Sequence, residues 1–209
     1  MVKPLLIEMR KRFGGYLPIV VDCETGGCDA KRDALLELAA VSLRYVDNVI
    51  STADVWHYHV QPFEGAKITT ESLEVTQIKP YHPFRFALPE QRVLNDLSEQ
   101  IHAQVQQSGC RRAILVGHNA QFDLAFMQAA YARIGKLKEC PFHRFTTLDT
   151  ATMSAVFYQE TVLAKAVRRA KIKFDITQAH SALYDAKITA ELFCKMISQA
   201  DQVFLAKSP

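Results

Sequence analysis

Asp22 and Glu24 stand one residue apart at the end of an apolar run, Ile19-Val20-Val21, and just before Gly26-Gly27. Apolar β-branched runs read as buried strands, and side chains at i and i+2 of a strand point the same way. The two carboxylates therefore share a face, with Cys23 on the other. Carboxylates held side by side repel each other and are costly to desolvate. Such a pair is stable if a cation sits between them or if one acid takes up a proton, and hard divalent cations are the usual answer. Taken alone, the pair also fits two solvated acids at a surface strand end. Three more residues add to it. Asp123 follows the apolar run Ala113–Gly117, in the first turn of a helix, where the helix dipole favours a carboxylate and where sites form at the rim of an α/β sheet. Asp185 lies in the first turns of the last helix, and His180 is five residues before it on the approach loop. Singly, these read as a dipole-compensating acid, a solvated helix face and a loop histidine. Together, four acids and one histidine fall on three chain segments.

The elements that must position them follow from the hydrophobic pattern. The opening strand carries Asp22 and Glu24. Leu35–Leu43 reads as a second buried strand with Glu37 a lone acid inside it; helix is the competing reading, since Leu, Glu and Ala are good helix formers. Val55–Val60 (Val-Trp-His-Tyr-His-Val) reads as the next strand, and Val46-Asp47-Asn48 as a turn before it. Three successive strands predict an antiparallel meander. Pro62 to Pro89 is proline-interrupted, with a short helix opening at Thr70-Glu71-Ser72-Leu73. Val93, Leu94, Leu97, Ile101 and Val105 recur at three- and four-residue spacing, predicting an amphipathic helix over 90–107 that Ser108-Gly109 ends. Ala113–Gly117 is a short strand, and Asn119 is the expected cap of the helix carrying Phe122, Phe126, Ala129 and Ala130. Phe145–Leu148 is a further strand, with Asp149 or Thr150 capping a helix to about Tyr158. Thr161–Ala170 reads as helical, with Lys165, Arg168 and Arg169 on one side, and a final helix runs from about Ser181 to Ala200. A meander followed by β-α alternation predicts an α/β domain with a mixed sheet, a single domain over residues 1–209.

The 209 residues, 49% apolar and 22% charged, suit an ordinary soluble domain able to bury a sizeable core. No run approaches a membrane-spanning helix. The segment Met1–Phe13, with Pro4, Glu8 and Arg10-Lys11-Arg12, has neither the apolar core nor the cleavage site of a signal peptide, which points to the cytoplasm. The five cysteines, Cys23, Cys28, Cys110, Cys140 and Cys194, form no CxxC pair and support no disulfide framework. A zinc site on Cys23, Cys28 and a histidine is conceivable, but buried free thiols are the simpler reading. A net charge of +3 permits a polyanionic partner without demanding one.

Asp22-x-Glu24, Asp123 after His118-Asn119-Ala120, and His180-x-x-x-x-Asp185 resemble the three motifs of the DEDD exonuclease superfamily, in its histidine-bearing branch. The longer segments Asp33-Ala34-Leu35-Leu36-Glu37, Gly117–Asp123, Pro141–Phe145 and Gln178–Asp185 are similar to the ribonuclease T family, in the same order, over roughly Arg12 to Cys194. The resemblance implies a ribonuclease H-like fold with a five-stranded mixed sheet flanked by helices. It also implies a 3′→5′ exoribonuclease that trims tRNA, rRNA precursors and other structured RNAs and takes single-stranded DNA as well. The chemistry fits these residue types. A phosphodiester is anionic and repels hydroxide, and two divalent ions about 3.5–4 Å apart stabilise both the attacking and the leaving oxygen. Oxygen ligands from Asp22, Glu24, Asp123 and Asp185 suit Mg²⁺, with Mn²⁺ able to substitute. His180, as a histidine at the site, is suited to accept the proton of the attacking water and to border the metals.

In the family, phenylalanines clamp the terminal nucleotides, and Phe122 and Phe145 match two of these positions. Cys28 and Val75 stand where two others are expected, and Glu71 where the family has a glutamate, so the clamp departs from the family pattern. Basic residues occur at Arg10-Lys11-Arg12, Arg111-Arg112, Lys136, Lys138 and 168–173. The family resembles a homodimer in which one subunit's basic patch holds RNA for the other's active site, and Arg12, Arg112 and Lys138 are the candidates for that role. The alternatives are a DNA-directed proofreading or repair exonuclease, which the five site residues do not separate from an RNA enzyme, a catalytically silent nucleic-acid-binding dimer, and a small zinc protein.

Overall fold

The run Ile19-Val20-Val21 lies in the middle strand of the sheet, β1 (Tyr16–Thr25), in the computed structural model, which describes residues 8–206 and side chains to 203. Residues 1–7 of the leading segment lie outside the described residues. β1 pairs antiparallel with β2 (Leu35–Val46), which pairs antiparallel with β3 (Val49–His59). Asp47 and Asn48 both take positive φ, the requirement of a tight two-residue hairpin. β3 starts six residues earlier than the apolar pattern indicates. Its first half mixes Val49, Ile50 and Ala53 with Ser51, Thr52 and Asp54 and, apart from the buried Ile50, lies partly or fully exposed at the edge of the sheet, so its apolar signal is weak. On its other side β1 is parallel to β4 (Arg112–Gly117), and β4 to β5 (Phe142–Asp149), giving the order β3-β2-β1-β4-β5. The meander and the mixed sheet are as expected. β5 begins three residues early, at Phe142, with an irregular register against β4.

The helices cover the sheet. α1 (Thr70–Thr76) is capped by the Thr69 hydroxyl. α2 (Glu90–Ser108) buries Val93, Leu94, Leu97 and Ile101 and ends on Gly109 at φ 65°. Each such buried side chain contributes about 1.5–3 kcal/mol. α3 (Ala120–Arg133) packs on β1, β4 and β5 with α2 behind it, and Tyr131 of α3 reaches Ser98 and the Leu94 carbonyl of α2. α4 (Thr150–Tyr158) and α5 (Leu163–Arg169) lean on α6 (Ala182–Ala206), which crosses β1, β2 and β3. α5 is shorter than expected, opening at Leu163 rather than Thr161. No helix among the described residues is long and apolar enough to cross a membrane.

Candidate active site

β1 delivers Asp22 and Glu24 at its C-terminal end. Glu24 pairs across the ladder with Glu37 of β2, so the two carboxylates share a face. Asp123, in the first turn of α3 and 4% exposed, accepts the Cys23 backbone N–H at 3.0 Å, which locks α3 to β1 between the two acids. Gly117 makes this approach feasible, because a Cβ there would stand 2.9 Å from Asp123 Oδ2 and 3.1 Å from Ala120 Cα. Asp185, in the first turn of α6, accepts the His180 backbone N–H at 2.9 Å. His180 takes φ 65°, folding the approach loop back over the helix start. Ligand atoms of Glu24, His180 and Asp185 all lie within 4.8 Å of one another. Three distant chain segments thus converge on one spot.

The electrostatics are those of crowded carboxylates. Burial raises Glu24 from 4.5 to about 8, helped by Asp185, Glu37 and Asp123. Burial raises Asp123 to about 7, held down partly by the Cys23 N–H. Asp22 is pushed well above the usual carboxylate range by desolvation and then by Asp123, Glu24 and Asp185. Asp185 is raised by burial against the pull of the His180 N–H. Asp185 Oδ1 is buried and has no hydrogen-bond partner. An acceptor left unmade costs about 1–3 kcal/mol, more when charged. Four carboxylates with one imidazole at the rim, mutual repulsion and an unpartnered buried oxygen fit a hard divalent cation.

The residues expected to touch substrate fall into two groups. Cys28, Glu71, Val75, Phe122 and Phe145 are all exposed, Phe145 by 74%. The segment leading into α1, with Glu71 and Val75, is stitched to the opening motif by the Thr69 N–H to the Gly26 carbonyl at 2.8 Å. Phe122 leans on Phe126 with ring centroids 4.9 Å apart, and Arg144 lies 5.2 Å over Phe145. Arg12, Arg112 and Lys138 are elsewhere. Tyr16, the first residue of β1, pairs with Arg112, the first of β4, at the end of the sheet opposite Asp22 and Glu24. Arg112 donates to the Cys140 and Pro141 carbonyls and shares a pocket with Lys138, Gln128 and Arg144. Arg12 is ion-paired to Asp201 at 2.7 Å.

Two local expectations need correction or extension. Asn119 does not cap α3 with its side chain, since its backbone is left-handed at φ 70°. Asp149 does the work instead. One of its oxygens accepts the N–H groups of Asn119 and Ala120 at 2.8 and 3.2 Å, and the other caps α4 through Thr152. His118 ties the same loop to Thr150 and to the Thr161 carbonyl. Glu37 appeared in the sequence only as a lone acid in a strand; its place beside Glu24 depends on the β1–β2 register. The cysteine zinc site finds no support: Cys23 is buried, Cys28 is exposed, and neither belongs to a ligand cluster among the described residues.

An exonuclease family model matches residues 19–193, and the chain belongs to that family. Among curated relatives, ribonuclease T of Vibrio parahaemolyticus is 49% identical over 195 residues, 92% of this chain and 91% of the relative. Ribonuclease T of Actinobacillus pleuropneumoniae is 46% identical over 192 residues, covering 91% and 88%. Two solved structures share the fold at low identity. The nuclease domain of 3′hExo, a DEDDh family member bound to rAMP, gives a TM-score of 0.63 at 14% identity over 90% of this chain and 92% of that one. E. coli exonuclease I in complex with a dT13 oligonucleotide gives 0.68 at 15% over 90% of this chain, which spans 42% of that one. The fold is that of these nucleases: a mixed five-stranded sheet flanked by helices.

Proposed function

We propose that the chain is a Mg²⁺-dependent 3′→5′ exoribonuclease that trims the 3′ ends of tRNA and other structured RNAs, takes single-stranded DNA as a second substrate, and works as a cytoplasmic homodimer. The observation that carries the reading is the convergence of Asp22, Glu24, Asp123 and Asp185 beside His180, in a chain whose family is an exonuclease family. The four carboxylates and His180 are the residues that would hold two divalent ions, and Asp185's unpartnered oxygen supports that assignment. When bound, such ions supply neutralisation of the phosphodiester's charge and a more acidic attacking water. The rest is the work of the chain. Asp123, fixed to the Cys23 N–H, holds its carboxylate at a set distance from β1. His180, exposed at the rim, takes the proton of the attacking water through its ring. Phe122 and Phe145 present apolar faces on which terminal bases stack, each base contributing about 1–3 kcal/mol. Glu71, Val75 and Cys28 border the same end. Cys28 and Val75 lack rings, so this chain's terminal-base preference rests more heavily on Phe122 and Phe145. The place of Arg112 at the far end of the sheet, with Lys138 lining the same pocket and Arg12 four residues before the start of β1, supports a role toward a second subunit's substrate.

The test uses 3′-labelled tRNA and a single-stranded DNA of matched 3′ end, with Mg²⁺ and with EDTA. Release of labelled mononucleotide from the RNA in Mg²⁺, slower release from the DNA and none in EDTA are expected. Faster turnover of DNA would transfer the assignment to a DNA exonuclease, and binding without release would leave a nucleic-acid-binding protein.

A further inference from the structure

The stretch Trp56-His57-Tyr58-His59-Val60 plays no part in the proposed reaction, yet it carries two imidazoles at i and i+2 of β3, on one face of the sheet. The β2–β3 register sets Glu37 opposite His59 and Ala39 opposite His57. The small Ala39 leaves room for the neighbouring side chains to meet. Glu37 Oε1 lies 2.5 Å from His57 Nε2, and the two imidazole rings stand edge to face at 4.9 Å. One ligand atom each from Glu37, His57 and His59 can be chosen so that all three lie within 4.8 Å of one another. His59 Nδ1 is buried and has no partner. Glu37 is 5% exposed, whereas the His57 side chain is 28% exposed, so the cluster opens to solvent on one side. The opposing positive charge nearby is Arg85, whose guanidinium donates to the Leu36, Val60 and Pro80 carbonyls.

We propose that Glu37, His57 and His59 form a transition-metal site, distinct from the carboxylate cluster, that binds Zn²⁺ with water filling the open position. Two imidazoles and one carboxylate are a zinc donor set, with three protein ligands and one position left to solvent. The same set is poor for Mg²⁺, which prefers oxygen donors and retains its waters. A strand supplies the two imidazoles at a fixed spacing, and the neighbouring strand supplies the carboxylate, whose 2.5 Å hydrogen bond to His57 opens to admit the ion. The site is also coupled to the other cluster by the ladder, because Glu24, Glu37 and His59 form one cross-strand row over β1, β2 and β3. A dication on Glu37 offsets a negative charge that Glu24 and Asp185 otherwise face. Zinc at this site therefore changes how tightly the catalytic acids hold their own cations.

The experiment uses the full chain and Co²⁺ as a spectroscopic probe, followed by Zn²⁺ competition at equilibrium in excess Mg²⁺. The wild type is expected to take one Co²⁺ with the strong visible absorption of a four-coordinate site containing nitrogen ligands, displaced by one equivalent of Zn²⁺. Asp22→Asn/Asp185→Asn, which dismantles the carboxylate cluster, retains that band. His59→Gln lowers Zn²⁺ affinity at least ~tenfold. The proposal is overturned if the band is absent, if it disappears with the two aspartates, or if His59→Gln binds Zn²⁺ as the wild type does. Should His59→Gln fail to fold by circular dichroism, X-ray absorption on the zinc-loaded wild type decides. Two imidazole ligands are expected, and fewer than two overturns the site.

Discussion

Glu24→Gln in the metal-free protein isolates the strain that the carboxylate cluster places on the fold. Burial with Asp185, Glu37 and Asp123 around it raises the Glu24 carboxyl from 4.5 to about 8. A proton held more tightly in the folded than in the unfolded chain stabilises the fold at low pH. That contribution is complete below about pH 4.5 and is lost as the pH rises through about 8. At pH 7 the unfolded glutamate is ionised and the folded one still holds its proton. The gap of ~2.5 pH units, at about 1.4 kcal/mol per unit, corresponds to about 3 kcal/mol. That is a large fraction of a stability of about 5–15 kcal/mol. Glutamine keeps the shape and cannot ionise. Urea unfolding in EDTA at pH 4.5, 7 and 8.5 reads the effect. The stability of Glu24→Gln relative to wild type rises by about 3 kcal/mol from pH 4.5 to 7, and saturating Mg²⁺ then narrows the difference because the ions favour the wild-type cluster. A difference that stays flat across this range refutes the argument, since Glu24 would then titrate alike in both states.

Three further outcomes follow from particular contacts. His180→Ala, at an exposed position, leaves the urea midpoint unchanged and lowers single-turnover hydrolysis about 10²–10⁴-fold; near-normal turnover excludes His180 as the base. Asp149→Ala removes the cap of α4 and the acceptor of the Asn119 and Ala120 N–H groups, and destabilises by about 1–2 kcal/mol in thermal unfolding. Phe145→Ala, with its ring 74% exposed, changes stability by less than about 0.5 kcal/mol but raises KM for a single-stranded 3′ end by about 5–100-fold; an unchanged KM removes Phe145 from the substrate path.

Legibility in the sequence tracked how local each cause was. The alternation around Asp22 and Glu24 and the glycine at the end of α2 act over a few residues, and both were readable. The first half of β3 was not, because Ser51, Thr52 and Asp54 interrupt Val49, Ile50 and Ala53 on a solvated edge where pairing leaves only a weak hydrophobic trace. Asn119 was the obvious cap by residue type, but its positive φ turns it away, and the acceptor arrives from Asp149, thirty positions on. Glu37 gains its neighbours only through register, with Glu24 on one side and His59 on the other. Arg12 and Arg112 were singled out by resemblance to a family basic patch; their bonds to Asp201 and to the Cys140 and Pro141 carbonyls depend on contacts far along the chain and were not legible.

The bonds of Asp149 make β5 and α3 a single lever. β5 carries the exposed Phe145 ring near its middle and ends on the carboxylate that grips the Asn119 and Ala120 amides, while Gln121 reaches from α3 to the Phe145 carbonyl and the Thr147 hydroxyl. Asp123 is two residues past Gln121 and is itself pinned to β1. On the proposed assignment, a base that pressed on Phe145 would load the turn that aims Asp123. Grip and cutting geometry would then share one mechanical element, and changes along β5 would shift affinity and turnover together, a loosely seated 3′ end being also a poorly aligned one.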